Sequence, residues 1–340
     1  MKVEKIITLT DDDYYYTAGY YVTNKWIDNE TFIGVRAKEE NIRENNELIK
    51  ISLNDMSIEV LDKNIASSGF STVCNNKVYY SNEKGIVELD LESKAKRYIC
   101  ENGACAIQMT LDGKYASAFN EEDNLPNKFY RINIDTGEIE KIYEKMFQKP
   151  LHVANHLMIS PTDKNLFFFA HEGSTFYVSN RLWIYDSKTG VARNIAKQKL
   201  NEDGDLGDCF GHEMWDTDGK GLYFVKYPCS NIKPCGICYV DVQSGNYKLL
   251  YSKYKYWHVG VSSDGRYLTA DTQYAPLQSE VVVIDRESGD EFVVDMPYMT
   301  AVHPCHPHPQ VSPDNSKIIY TALDKENGRT CIKIAYINNK

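Results

Sequence analysis

An all-β chain folded as a seven-bladed β-propeller, its ring closed by an N-terminal strand, is the architecture the sequence predicts. Three observations carry it. A unit marked by turn aspartates Asp112, Asp163, Asp218, Asp264 and Asp314 recurs at spacings of 51, 55, 46 and 50 residues, the period of a propeller blade. Within each unit, two tight-turn signals separate short alternating strands. Tyrosine is abundant, at 25 residues, and Gly, Asn and Asp recur singly, which favours many short strands over long helices.

Taken in order, "EKIITLT" at 4–10 is a strand with no unit of its own. Two weaker copies of the unit follow, "KWIDNETFIGVRAKEENIRENNELIKISLNDMSIEVL" and "CNNKVYYSNEKGIVELDLESKAKRYI". The third runs from "TLDGKYASAFN" to "NKFYRINIDTGEIEKIY", the fourth from "SPTDKNLFFFAHEG" to "RLWIYDSKTGVARNI", and the fifth from "DTDGKGLYFVKYP" to "GICYVDVQSGNYKLLY". "SSDGRYLTADTQ" and "SEVVVIDRESGDEFVVD" make the sixth. The seventh, "SPDNSKIIYTALDKENGRTCIKIAYI", is one strand short, and the orphan N-terminal strand is the piece that completes it. Because no Pro/Gly/Ser-rich linker interrupts the period, residues 1–340 are expected to form a single domain.

Composition bounds the function. A net charge of −10 argues against a nucleic-acid surface but leaves room for a local cationic pocket that takes a small anion. No stretch reaches the ~18 apolar residues of a membrane span, the N-terminus reads as no signal peptide, and nine cysteines without regular spacing suit a reducing compartment, so a cytoplasmic protein is expected. No membrane, nucleic-acid or obligate protein partner is indicated.

All eight histidines follow Leu151, and seven lie in the segments that lead into blades four to seven: "HVANHLMISPTD", "GHEMWDTDG", "YWHVGVSSDG" and "HPCHPHPQVSPD". The eighth, His171 in "FFFAHEG", falls in the connection between a second and a third strand, which opens on the same face of a propeller. In an extended segment stiffened by prolines, His306 and His308 are two apart and point to one side. Such convergence suits a metal, against the bland alternative of polar residues that line a channel.

"AHEG", "RLW", "GHEMW" and "HPHPQVSPD", in this order and on these blades, resemble the oligogalacturonate lyases of polysaccharide lyase family 22. The blade period extends the likeness over most of the chain, but its specific motifs lie between His171 and Asp314. The resemblance implies a cytoplasmic, manganese-dependent propeller enzyme that cleaves short galacturonate oligomers by β-elimination in pectin breakdown. Residue by residue, it implies His212 as the base, Arg181 as the arginine of the "RLW" motif, and His258, His306 and His308 as metal ligands. The family's glutamine ligand falls on His303, and an imidazole there leans toward iron, nickel or zinc as alternatives to Mn²⁺.

Elimination removes the proton at C5, next to a carboxylate, and expels the oxygen at C4. A divalent metal and Arg181 would neutralise the carboxylate, and a neutral imidazole at His212 would accept the proton. His171, Arg36 and Lys226 are further candidates for contact with the anionic oligosaccharide, with solvated loop charge the plainer reading of the two cations. Glu172 and Glu213, beside histidines, read as orienters or as plain surface charges. The CxxC within Cys229, Cys235 and Cys238 lacks the second matching pair of a zinc site. Two other outcomes stay open: an epimerase, isomerase or lyase on another uronate, and a non-catalytic interaction propeller.

Overall fold

In a computed structural model of the chain, the described residues are 1–338 apart from 41, 43–44, 67–70, 101–104, 121–124, 174–177, 205–206, 274–276 and 301–305; residues 105–107 are described by backbone only. Among these, every regular element is a strand, and the strands form seven four-stranded antiparallel sheets in meander order, the blades of a β-propeller. The blades occupy residues 15–63, 72–100, 105–145, 153–196, 210–251 and 256–295, and the seventh combines 310–338 with the N-terminal strand Lys2–Leu9. That strand pairs with Arg329–Asn338 in the register Lys2↔Asn338 to Leu9↔Ile332. The ring closes as its missing strand predicts. Its polar, mostly exposed sequence KVEKIITL suits an outer edge, where charge discourages pairing with another chain.

The marker aspartates fix the first turn of five blades by one device. Oδ1 of Asp112, Asp163, Asp218, Asp264 and Asp314 accepts the backbone N–H two residues on, at 3.0, 2.9, 2.9, 2.9 and 3.1 Å. Asp and Asn favour turns because the side chain substitutes in this way for a backbone acceptor. The residue after the aspartate is left-handed in most of them; at Gly219 (φ 70°) a Cβ would also meet Thr162 Oγ1 at 2.2 Å, so only glycine fits there.

By contacts the chain divides into two compact units, residues 1–98 with 258–340, and residues 99–257. In the first, blades stack face to face through layers of aliphatic and aromatic side chains. One joins Ile33, Val35 and Leu48 to Val78, Tyr80 and Val87; another joins Tyr16, Phe32 and Ile49 to Ile319, Ile332 and Ile334; a third joins Val281 and Val283 to Ile318, Tyr320 and Ala335. In the second unit the filling is aromatic, with Phe129 against Phe169 at 5.1 Å and Tyr143 against Tyr185 at 4.8 Å. Second strands are buried on both faces, which is why "LFFFA" and "GLYFV" read as unbroken apolar runs; losing any one of Phe167, Phe168 or Phe169 would cost about 3–5 kcal/mol.

Candidate functional site

Four histidines share one register position. His156, His212, His258 and His308 each stand four residues before the first-turn residue, Ser160, Asp216, Ser262 and Ser312, whose backbone N–H closes the hairpin. The other histidines that lead into these blades fall outside that register. His156, His212 and His308 adopt left-handed backbone, at φ 51°, 54° and 44°. In blades four and five the strand register shifts there, between Asn155 and Met158 and between Gly211 and Met214, so each histidine sits in a β-bulge. A bulge re-aims a side chain that regular pleating would point elsewhere.

In the first unit, His258, His306 and His308 come together. One ring nitrogen from each lies within 4.8 Å of the other two, and all three residues are buried. The two Nε2 atoms of His258 and His308 are 3.2 Å apart. Ligands each about 2.1 Å from one ion are separated by roughly 3.0–3.4 Å, so a divalent metal fits this pair. His258 belongs to the strand Tyr256–Val261, and its Nδ1 faces both oxygens of Asp271 at 2.7 and 2.9 Å. A carboxylate offers only acceptors, so Nδ1 carries the hydrogen and Nε2 keeps its lone pair, the carboxylate–histidine arrangement found behind metal ligands. Tyr20 and Tyr21 cover the cluster, with ring centroids 4.7 Å from His308 and 5.5 Å from His258.

The His306–His308 segment is not uniformly extended, because His308 is left-handed; the two rings meet by that local turn rather than by strand alternation. His303 lies outside the described residues.

In the second unit the chemistry is ionic. Arg181 is buried between two carboxylates: Nε donates to Glu213 Oε1 at 2.7 Å and Nη1 to Glu172 Oε2. Glu172 also accepts from Asn155 Nδ2, and His156 Nδ1 lies 3.5 Å from Glu213 Oε2. Burial opposes ionisation of Glu213, yet Arg181 and His156 hold its carboxyl well below the usual carboxylate range; the same balance lowers Glu172. For Arg181, burial disfavours the cation and the two glutamates outweigh it, raising its pKa further. Glu213, at 0% exposure, is therefore no surface charge.

His212 stands beside this cluster in the strand Phe210–Trp215. Its Nδ1 is 2.6 Å from the carbonyl oxygen of Trp257, the residue that precedes His258 in the chain. A carbonyl only accepts, so Nδ1 bears the hydrogen and Nε2 is the basic nitrogen. Tyr227 packs edge-on against the ring at 5.3 Å.

The remaining predicted residues are engaged locally. His171 is the penultimate residue of the strand Leu166–Glu172, not part of a loop; its Nε2 lies 2.9 Å from the Leu151 carbonyl, the Phe147 ring packs tilted against it at 4.3 Å, and burial lowers its pKa. Arg36 and Lys226 sit at strand ends and form ion pairs, Arg36 with Glu47 at 2.8 Å and Lys226 with Asp208 at 2.6 Å, rather than standing as solvated loop charges. Cys238 is buried in its strand, and burial pushes its thiol up to about 12. Among the described residues the group placed to hold a metal ion is His258, His306 and His308. Trp215 is core, with Nε1 donating to the Met158 carbonyl at 3.2 Å.

No family model matches the chain, and no curated protein matches its sequence. Solved structures do match its fold. An oligogalacturonate lyase in complex with manganese aligns with a TM-score of 0.83 at 17% identity, over 100% of this chain and 96% of that one. A second oligogalacturonate lyase, from Vibrio parahaemolyticus, aligns with a TM-score of 0.80 at 15% identity, over 100% and 95%. A prolyl endopeptidase gives 0.59 at 13% identity and is covered over 51% of its length. The oligogalacturonate lyases thus share the fold along the whole chain, as the resemblance in the motifs anticipates.

Proposed function

We propose that the protein is a metal-dependent lyase that cleaves short galacturonate oligomers by β-elimination, as part of pectin breakdown. The observation that carries this reading is the convergence of three buried imidazoles, one of them locked by a carboxylate so that Nε2 turns inward, in a fold shared with oligogalacturonate lyases. His258, His306 and His308 would hold Mn²⁺, with iron, nickel or zinc as alternatives given the imidazole-rich donor set, and His303 is the proposed fourth ligand. A bound divalent ion supplies Lewis acidity that offsets a substrate carboxylate and acidifies the adjacent C–H.

The chain's own groups supply the rest. His212 is the proposed base: the Trp257 carbonyl holds the hydrogen on Nδ1, which leaves Nε2 to take the C5 proton. Arg181 is the proposed carboxylate partner. Two of its three nitrogens already face Glu213 and Glu172, so its contribution is a rigidly held Nη2 edge rather than a whole guanidinium. His171, Arg36 and Lys226 are proposed as secondary substrate contacts, the last two needing to share their present carboxylates. A small anionic oligosaccharide partner, one domain over 1–340 and a cytoplasmic setting complete the reading. Among the described residues no helix is long and apolar enough to cross a membrane.

The test is to incubate the protein with di- and trigalacturonate and Mn²⁺ and to follow ultraviolet absorbance from a C4–C5 double bond. Absorbance that grows with enzyme concentration supports the lyase. Solvent deuterium entering C5 without absorbance would instead mean that proton abstraction is followed by reprotonation, the outcome for an epimerase. Neither signal across several divalent metals would favour a scaffold role for the propeller.

A further inference from the structure

The metal centre has a residue behind it that no sequence motif flags. Asp271 lies in the second strand of blade six, Tyr267–Thr272, every residue of which is buried, and Asp271 itself is 0% exposed. A buried carboxylate is expensive unless donors surround it. Here two histidines supply those donors. Oδ1 accepts the His258 backbone N–H at 3.0 Å and faces His258 Nδ1 at 2.7 Å; Oδ2 faces the same Nδ1 at 2.9 Å and accepts the His308 backbone N–H at 3.0 Å. One side chain therefore grips the ring and backbone of one proposed ligand and the backbone of another, 37 residues further along the chain.

We infer that Asp271 is the positioning residue of the metal centre: it fixes His258 as the Nδ1–H tautomer and pins His308 in the left-handed conformation that turns its ring toward His258. The inference rests on the metal-centre reading above. The carboxylate can do both because it has two oxygens and no hydrogen, so every group around it must donate. His308 at φ 44° is a strained backbone for a residue with a Cβ, and its N–H bond to Oδ2 is a tether that holds it there. Asparagine at 271 keeps the shape but replaces one oxygen by an NH₂ group. That group must face either the His258 donors or the His308 N–H, so one ligand loses its anchor whichever way the amide turns.

The test combines ¹⁵N-histidine NMR of the metal-free protein with chelator-competition titrations of Mn²⁺ and Zn²⁺, on wild type and Asp271→Asn. Wild-type His258 is expected as the Nδ1–H tautomer before any metal is added. In Asp271→Asn either that signature is lost or the His308 N–H loses its acceptor, and in both cases metal affinity should fall by about 10- to 100-fold, the usual cost of removing a partner behind a ligand. A wild-type His258 protonated on Nε2, or a variant that binds both metals like wild type, would overturn the assignment. Should Asp271→Asn fail to fold, the wild-type tautomer still decides. A wild type that shows the Nδ1–H tautomer yet binds neither metal would sink the metal-centre reading itself, an outcome distinct from failure of Asp271 to orient His258.

Discussion

The histidine cluster of one unit and the Arg181 cluster of the other are built on the same repeat position and do opposite electrostatic work. His258 and His308 present ring nitrogens to each other with a single carboxylate, Asp271, behind them. His156 stands at that position in blade four, and His212 with its neighbour Glu213 in blade five, where Glu213 and Glu172 enclose a guanidinium. The first is a set of neutral donors that a cation completes. The second already contains its cation. The repeat thus supplies a backbone position, bulged in blades four and five, while a residue from the second strand or from just before the third decides what that position does: Asp271 in one case, Arg181 in the other.

The largest effect is expected at the proposed base. His212→Ala should lower turnover by about 10²- to 10⁴-fold, the usual worth of a positioned acid or base, with metal content unchanged. Loss of metal in that variant, measured by element analysis, would move His212 to the other cluster. Next in size is Arg181→Met, which strands Glu213 without its cation; breaking a buried pair in this way costs about 3–5 kcal/mol. Denaturant unfolding checks it, and a loss below 1 kcal/mol would mean that Glu213 is held by other groups.

Acid should separate the two clusters by window. Imidazole ligands must be deprotonated, so metal should leave as the pH falls below about 6.5. Glu213 and Glu172 have folded-state pKa values below their unfolded ones, so the stability they contribute is complete above about 4.3 and is lost only as the pH falls further, through the folded values. Metal release and acid unfolding, followed on one sample, should therefore occur in succession. Coincident transitions would show that the clusters are not independent. The smallest effect is expected at Arg36, already paired with Glu47: Arg36→Met should cost about 1 kcal/mol or less in stability and raise KM for uronate oligomers a few-fold at most, whereas an unchanged KM would remove Arg36 from the substrate contacts.

The blades were legible in the sequence because turn chemistry is local. Each marker aspartate bonds a backbone N–H two residues away, so its spacing reports the repeat directly. The histidines proposed as metal ligands stood out because histidine is scarce and clustered. What could not be read was pairing between distant strands. Glu213 in "GHEMW" resembles a surface charge until Arg181, 32 residues earlier, is seen against it. Asp271 was missed although "YLTADT" carried a signal, an acidic residue inside a strand that its apolar neighbours mark as buried. The backbone turn at His308 was equally invisible, since flanking prolines suggest extension and the left-handed conformation depends on a carboxylate from another blade.

If three imidazoles hold one divalent ion, element analysis of the purified protein beside His306→Ala will show it. Asp271 holds His258 and His308, so the loss of the His306 ring should leave these two in place while opening the coordination set. About one equivalent of metal in wild type and almost none in the variant is the predicted result. Equal metal content in the two proteins, or none in either after incubation with Mn²⁺, iron, nickel and zinc, would contradict it.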